Sequence, residues 1–160
     1  MDQQQIEGLK QVVRGSVVLP GDPDYDETRK IYNGNIDRKP KLFVMCLDVS
    51  DVIEAVKFGR ENNLGIAVRG GGHSGPGFGI CDDGLVIDLS NINYTRIDQK
   101  NQSVRVGGGC TWGDVDHATH AYGMAVPSGI ISTTGVGGLT LGGGTGYLTR
   151  KYGLTVDNLL

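Results

Sequence analysis

Val68-Arg69-Gly70-Gly71-Gly72-His73-Ser74 decides how this chain is read. The apolar run Gly65-Ile66-Ala67-Val68-Arg69 reads as a short strand, so the glycines leave from a strand end. Three adjacent glycines carry no Cβ, and their backbone can approach a ligand closely and adopt conformations other residues avoid. Their N–H groups can converge on an anion. His73 follows at the lip of the loop, and imidazole serves as nucleophile, proton carrier or metal ligand. Phosphate-cradling backbone beside a reactive imidazole points to a nucleotide cofactor whose reactive ring lies close by. A side chain added at Gly71 is expected to obstruct its diphosphate.

Upstream, Leu42-Phe43-Val44-Met45-Cys46 reads as another strand, opened by Pro40. Ser50 is expected to cap a helix with Asp51 and Glu54 in its first turn, where negative charge suits the dipole. Val52, Ala55, Val56 and Gly59 form its predicted inner face, and Asn62-Asn63 ends it. Strand, helix and strand make a βαβ unit that delivers the glycine loop. Residues 1–36 read as a lead-in: a short helix, the strand Val17-Val18-Leu19, a turn at Pro20–Pro23 and a charged helix through Arg29 and Lys30. Residues 37–160 form the main domain.

Downstream, residues 84–89, 93–97 and 103–106 are short strand candidates at about ten-residue spacing. Thr111 is expected to cap a helix over Trp112–Tyr122, and a second glycine-rich tract runs from Gly135 to Gly146. Of 160 residues 27 are glycine, more than twice the usual share of about 7%. Such density implies repeated close backbone approach, to one large ligand on this reading. An α+β domain with two ligand-facing loops fits the pattern. The apolar end at Leu159-Leu160 lacks a cap or polar tail, so this is expected to be the N-terminal part of a larger protein.

Other chemistries fit less well. Gly70, Gly72 and Gly75 satisfy GxGxxG, but that fingerprint needs a helix to begin within it. Ser74-Gly75-Pro76-Gly77-Phe78-Gly79 cannot sustain one. No GxxxxGK[ST] occurs. Cys110, Asp114, Asp116, His117 and His120 lack a second ligand pair with metal-like spacing, and no metal is expected. The net charge of −3 gives no electrostatic reason to expect nucleic acid or an anionic membrane. Three cysteines without CxxC spacing read as reduced thiols. With no basic, apolar leader, a cytoplasmic location is expected.

These features together resemble the FAD-binding domain of the berberine-bridge-enzyme-like FAD-linked oxidoreductases. That family lies within the p-cresol methylhydroxylase-type, or vanillyl-alcohol oxidase, flavoprotein superfamily. The carriers are residues 68–74, Gly84-Leu85-Val86-Ile87-Asp88-Leu89-Ser90, Val106-Gly107-Gly108-Gly109 with Thr111-Trp112-Gly113-Asp114-Val115, Ser132–Gly138 continuing to Gly146, and Tyr152–Leu159. The resemblance implies two small α/β subdomains with FAD between them. It implies cofactor contacts from Arg69, Gly70, Gly71, Gly72, His73 and Ser74, and from Thr133, Thr134, Gly135, Gly137, Gly138, Gly144 and Tyr147. A covalent bond from His73 to the 8α-carbon of the isoalloxazine is implied as well. Where bicovalent members carry cysteine this chain has Ile131, so one histidyl link is expected. Thr134 stands where family members influence oxygen access, leaving oxidase or dehydrogenase open. The implied reaction is hydride transfer from an alcohol, sugar or similar small molecule to flavin, with dioxygen or another acceptor reoxidising it. No substrate-side catalytic residue can be carried over. The rivals are a D-2-hydroxy-acid dehydrogenase-type enzyme with non-covalent FAD and a non-catalytic flavin-binding module.

Overall fold

A computed structural model describes residues 2–160. The chain opens with α1 (Gln3–Val12), closed at its start by a capping box between Asp2 and Gln5. β1 (Ser16–Val18) and the single turn α2 (Tyr25–Thr28) follow. The charged helix predicted through Lys30 therefore stops earlier. Next come β2 (Leu42–Met45), α3 (Val49–Glu61) and β3 (Ile66–Arg69). β4 (Leu85–Asp88), β5 (Thr95–Asp98) and β6 (Ser103–Val106) complete the strands. The helices α4 (Trp112–His120), α5 (Val136–Leu141) and α6 (Thr149–Tyr152) lead to a final 3-10 turn over Val156–Asn158.

One sheet has the order β1-β2-β4-β3, antiparallel at β1 and parallel elsewhere. The expected βαβ unit is present, but β4 lies between its two strands, because both pair with β4. Leu42, Phe43, Val44, Leu85, Val86 and Ile87 are all fully buried. Covered faces on both sides explain why these strands read as continuous apolar runs rather than alternating ones. On one face α1 and α3 contribute Leu9, Ala55 and Phe58. On the other pack Tyr25 and Ile80. Residues expected as a lead-in thus complete both the sheet and its core.

Asp48, not Ser50, caps α3: its carboxylate accepts from the N–H groups of Ser50 and Asp51. Those bonds hold the Asp48 carboxyl below its usual range, helped by Arg14. Val56, expected inside, faces outward, while Phe58 takes an inner position. Buried Asp51 accepts N–H groups of Arg14 at 2.8 Å, Gly15 at 3.0 Å and Leu47 at 2.9 Å, tying α3 to both flanking segments.

The second, smaller unit pairs β5 with β6 in antiparallel register. Its core joins Trp112 and Val115 of α4 to Val136 of α5 and Cys110. Thr111 and Asp114 form the capping box of α4. The helix expected to reach Tyr122 ends at His120. The second glycine tract, read as a loop, contains α5. Its Val136 and Thr140, four apart, are buried, so tertiary packing overrides poor glycine propensity.

Candidate functional site

Parallel strands place their carboxyl ends together, where open α/β sheets bind ligands. At that edge Arg69 and Asp88 are register partners on β3 and β4. Their side chains form a buried ion pair; Arg69 also donates to Thr28 O at 2.5 Å and lies 5.0 Å over the Phe43 ring. Asp88 accepts in turn from the N–H and hydroxyl of Ser90. Arg69, expected among the cofactor contacts, has its guanidinium committed to this network and reaches the site as part of a wall.

Beyond Arg69 the loop opens a cleft of about 570 Å³, walled by Lys30–Tyr32, Arg69–His73, Asp88, Ser90 and Thr133. The N–H groups of Gly70, Gly71, Gly72, His73 and Ser74 find no hydrogen-bond acceptor among the described residues. All five residues are half-buried. Half-buried donors seldom stay unpaired without water or a ligand, and a run of them forms an anion-binding concavity. Gly72 reaches its place with φ +70°. Ser74 uses its side chain locally: Oγ accepts Phe78 N–H at 3.1 Å and its carbonyl accepts Gly77 N–H at 3.0 Å, closing a turn with no helix.

The reason for glycine at position 71 differs from the expectation. A Cβ there would point at the Gly135 backbone, 2.7 Å from its Cα and closer to its nitrogen, and 3.1 Å from Thr133 O. Gly135 meets Gly71 reciprocally. Gly70 and Gly137 both face Gly108 O, at 3.1 and 3.2 Å from a built Cβ. Glycine is therefore required at 71 and 135, where the two units press main chain against main chain, while Gly70 and Gly137 make tight approaches to Gly108 O. The Gly71 N–H remains free for a ligand, but its side-chain direction does not face one. Gly138 differs: a Cβ there meets nothing within 4 Å.

His73 is held by residues distant in sequence. Its Nε2 lies 3.0 Å from Thr133 Oγ1 and its Nδ1 3.2 Å from Thr134 Oγ1. Its ring stacks on Tyr32, centroids 4.1 Å apart and planes inclined by 17°. Partial burial lowers its pKa below the ordinary 6.5, favouring the neutral, nucleophilic ring at neutral pH. Gly144 sits apart, with φ +74° against Thr155 and Leu139. Tyr147 projects outward, 83% exposed. Neither lines this cleft. Gly108 and Ser90, motif residues not expected as cofactor contacts, complete the arrangement with Tyr32, which sequence reading passed over.

Among the described residues no three His, Cys, Asp or Glu side chains stand where they could share a metal. Asp114 is occupied in its capping box, Asp116 lies past the first turn of α4, and Cys110 donates to Tyr94 O. The cysteines are unpaired, and burial pushes the Cys46 thiol up to about 12. No described helix is long and apolar enough to cross a membrane.

A glycine loop with unpaired N–H groups at a sheet's carboxyl edge, backed by a second glycine-bearing unit, has the layout of a dinucleotide-binding domain. The FAD binding domain family matches residues 40–160, and the chain belongs to it. It is 38% identical over 148 residues to (R)-6-hydroxynicotine oxidase of Paenarthrobacter nicotinovorans, covering 92% of this chain and 32% of that protein. The wild-type berberine-bridge-enzyme-like protein 1 of Physcomitrella patens superposes with a TM-score of 0.90 at 31% identity, over 96% of this chain and 34% of that one. Phl p 4.0202, a glucose dehydrogenase, gives 0.90 at 28% identity, over 99% and 35%. The fold is thus the p-cresol methylhydroxylase-type FAD-binding fold. The chain spans about a third of the length of the curated relatives it matches.

Proposed function

We propose that this chain is the FAD-binding part of an oxidase or dehydrogenase that oxidises an alcohol, sugar or similar small molecule. The observation that carries the reading is the run of five unpaired N–H groups from Gly70 to Ser74 ending beside His73. Those donors fit a diphosphate, each charge-assisted bond contributing roughly 1.5–3 kcal/mol. The cleft, about 570 Å³, falls within the size range of small-molecule sites.

When bound, FAD supplies two-electron chemistry: hydride acceptance from the substrate carbon, return of those electrons to dioxygen or another acceptor, and an 8-methyl carbon to which imidazole can bond. His73 would supply the ring nitrogen for that bond and give up its imidazole proton, while the bound flavin would supply the oxidising equivalents. His73 contributes a neutral ring nitrogen, favoured by its lowered pKa, while the Gly70–Ser74 backbone binds and orients the diphosphate. The unpaired cysteines support a reducing, cytoplasmic setting.

FAD bound without a covalent bond is the second reading. The hydroxyls that already satisfy both imidazole nitrogens favour it. Acid precipitation of the FAD-loaded chain separates the two. Yellow colour in the pellet, lost in His73→Ala, supports attachment; all flavin in the supernatant defeats it. A chain that takes up no FAD at any concentration defeats both.

A further inference from the structure

We propose that Tyr32 is the positioning residue for His73: its phenol ring fixes the imidazole plane against the Thr133 and Thr134 hydroxyls, so that the cofactor-bonding nitrogen is presented in one orientation. The inference rests on the covalent reading above and adds a residue from the N-terminal segment to that site.

Four observations carry it. The rings lie face to face, centroids 4.1 Å apart and planes 17° from parallel. Tyr32 is 70% exposed, so the stack does not serve a core. The Tyr32 hydroxyl makes no hydrogen bond among the described residues, which leaves the ring as the functional part. Finally, the segment is fastened astride the loop: Tyr32 N–H donates to Gly72 O at 3.1 Å, and Asn33 Nδ2 donates to Gly75 O at 2.8 Å. These anchors flank His73 on both sides, so the platform moves with the loop.

A histidine on a glycine loop otherwise rotates about two side-chain bonds. Two hydroxyl contacts restrain its nitrogens, but a hydroxyl donates or accepts with equal ease and leaves the plane free to tilt. A stacked ring removes that tilt. Bond formation depends steeply on such alignment, a misplacement of about 1 Å costing on the order of 10²-fold in rate.

The test compares Tyr32→Phe and Tyr32→Leu with wild type, with and without FAD. Without FAD, the His73 ring C–H signals, assigned by their loss in His73→Ala, are expected upfield of those from His117 and His120. Tyr32→Phe keeps that shift and Tyr32→Leu loses it. With FAD at saturating concentration, Tyr32→Leu is expected to slow acid-stable attachment by roughly 10–100-fold. Tyr32→Phe restores attachment. Equal slowing by both variants, or wild-type attachment by Tyr32→Leu after the upfield shift is lost, overturns the proposal. Unshifted His73 signals in the wild type overturn it too, independently of attachment. A wild type that binds FAD reversibly but never retains it in acid removes the covalent reading instead. In that event the stack positions nothing for bonding, and the proposal falls with it while the ring shift still reports the geometry.

Discussion

Gly71→Ala tests whether glycine is required for packing between the two units. The added Cβ lies 2.7 Å from Gly135 Cα and 3.1 Å from Thr133 O. Carbon atoms normally approach to about 3.5–4.0 Å, so the two tracts must part by roughly 1 Å. Both sides are backbone, and neither can swing a side chain away. Overpacking of this kind costs about 1–3 kcal/mol. In a domain of this size each kcal/mol shifts Tm by roughly 2–4 °C, giving an expected drop of about 2–12 °C. Parting the tracts also draws Thr133 and Thr134 away from His73, whose present distances of 3.0 and 3.2 Å have little to spare. Gly138→Ala is the matched control, because its Cβ meets nothing within 4 Å and the residue lies in α5. Alanine there is expected to stabilise by up to about 1 kcal/mol. Thermal melts by circular dichroism without FAD, followed by FAD titration of each variant, measure both effects. A Gly71→Ala protein melting within about 1 °C of wild type refutes the packing account. So does a Gly138→Ala protein that melts as low. Weaker FAD binding with raised Tm in Gly138→Ala would mark that open space as the ligand's.

Two further perturbations probe the scaffold and the imidazole. Asp51→Ala removes the shared acceptor of three N–H groups and is expected to destabilise by about 3–5 kcal/mol in urea unfolding. A loss below about 1 kcal/mol would show that water replaces the carboxylate. For His73 the folded-state pKa is lowered, so below its ordinary 6.5 the unfolded chain takes up the proton first. Stability from this group is present above 6.5, declines as pH falls towards the folded value, and then levels. Unfolding measured between pH 7.5 and 5 should show a decline that His73→Gln reduces. An unchanged slope in that variant refutes the assignment.

What the sequence made legible was local. Leu42–Cys46 and Gly65–Arg69 declared themselves as apolar runs, and Pro76 among glycines correctly excluded a dinucleotide-type helix. Thr111 and Asp114, three apart, announced the start of α4. Strand order was not legible, because β4 enters between β2 and β3 through pairing that no local pattern encodes. Ser50 reads as the cap of α3, yet Asp48 holds that place, and Asp51, expected only to suit the dipole, is buried and accepts the N–H groups of Arg14, Gly15 and Leu47. For the site, the triple glycine showed where backbone would be bare but not what approaches it. Half of the answer is Gly135, 64 residues on. The hydroxyls of Thr133 and Thr134 and the ring of Tyr32 reach His73 only after both units and the N-terminal segment have folded.

That dependence makes the site a readout of long-range assembly. β3 delivers the loop, and the Arg69–Asp88 pair locks its base to β4. Gly71 and Gly135 bring the second unit close enough for its threonines to reach the imidazole. The bond from Tyr32 N–H to Gly72 O adds the last wall. The five N–H groups stay unpaired because the neighbouring carbonyls of Gly108 and Thr133 face the Cα side of the loop, where a Cβ would stand, rather than its N–H groups. Glycine at the contact and unpaired donors at the cleft are then two results of one arrangement: bare main chain from two units packed tightly on one side, leaving the polar edge of the loop open on the other.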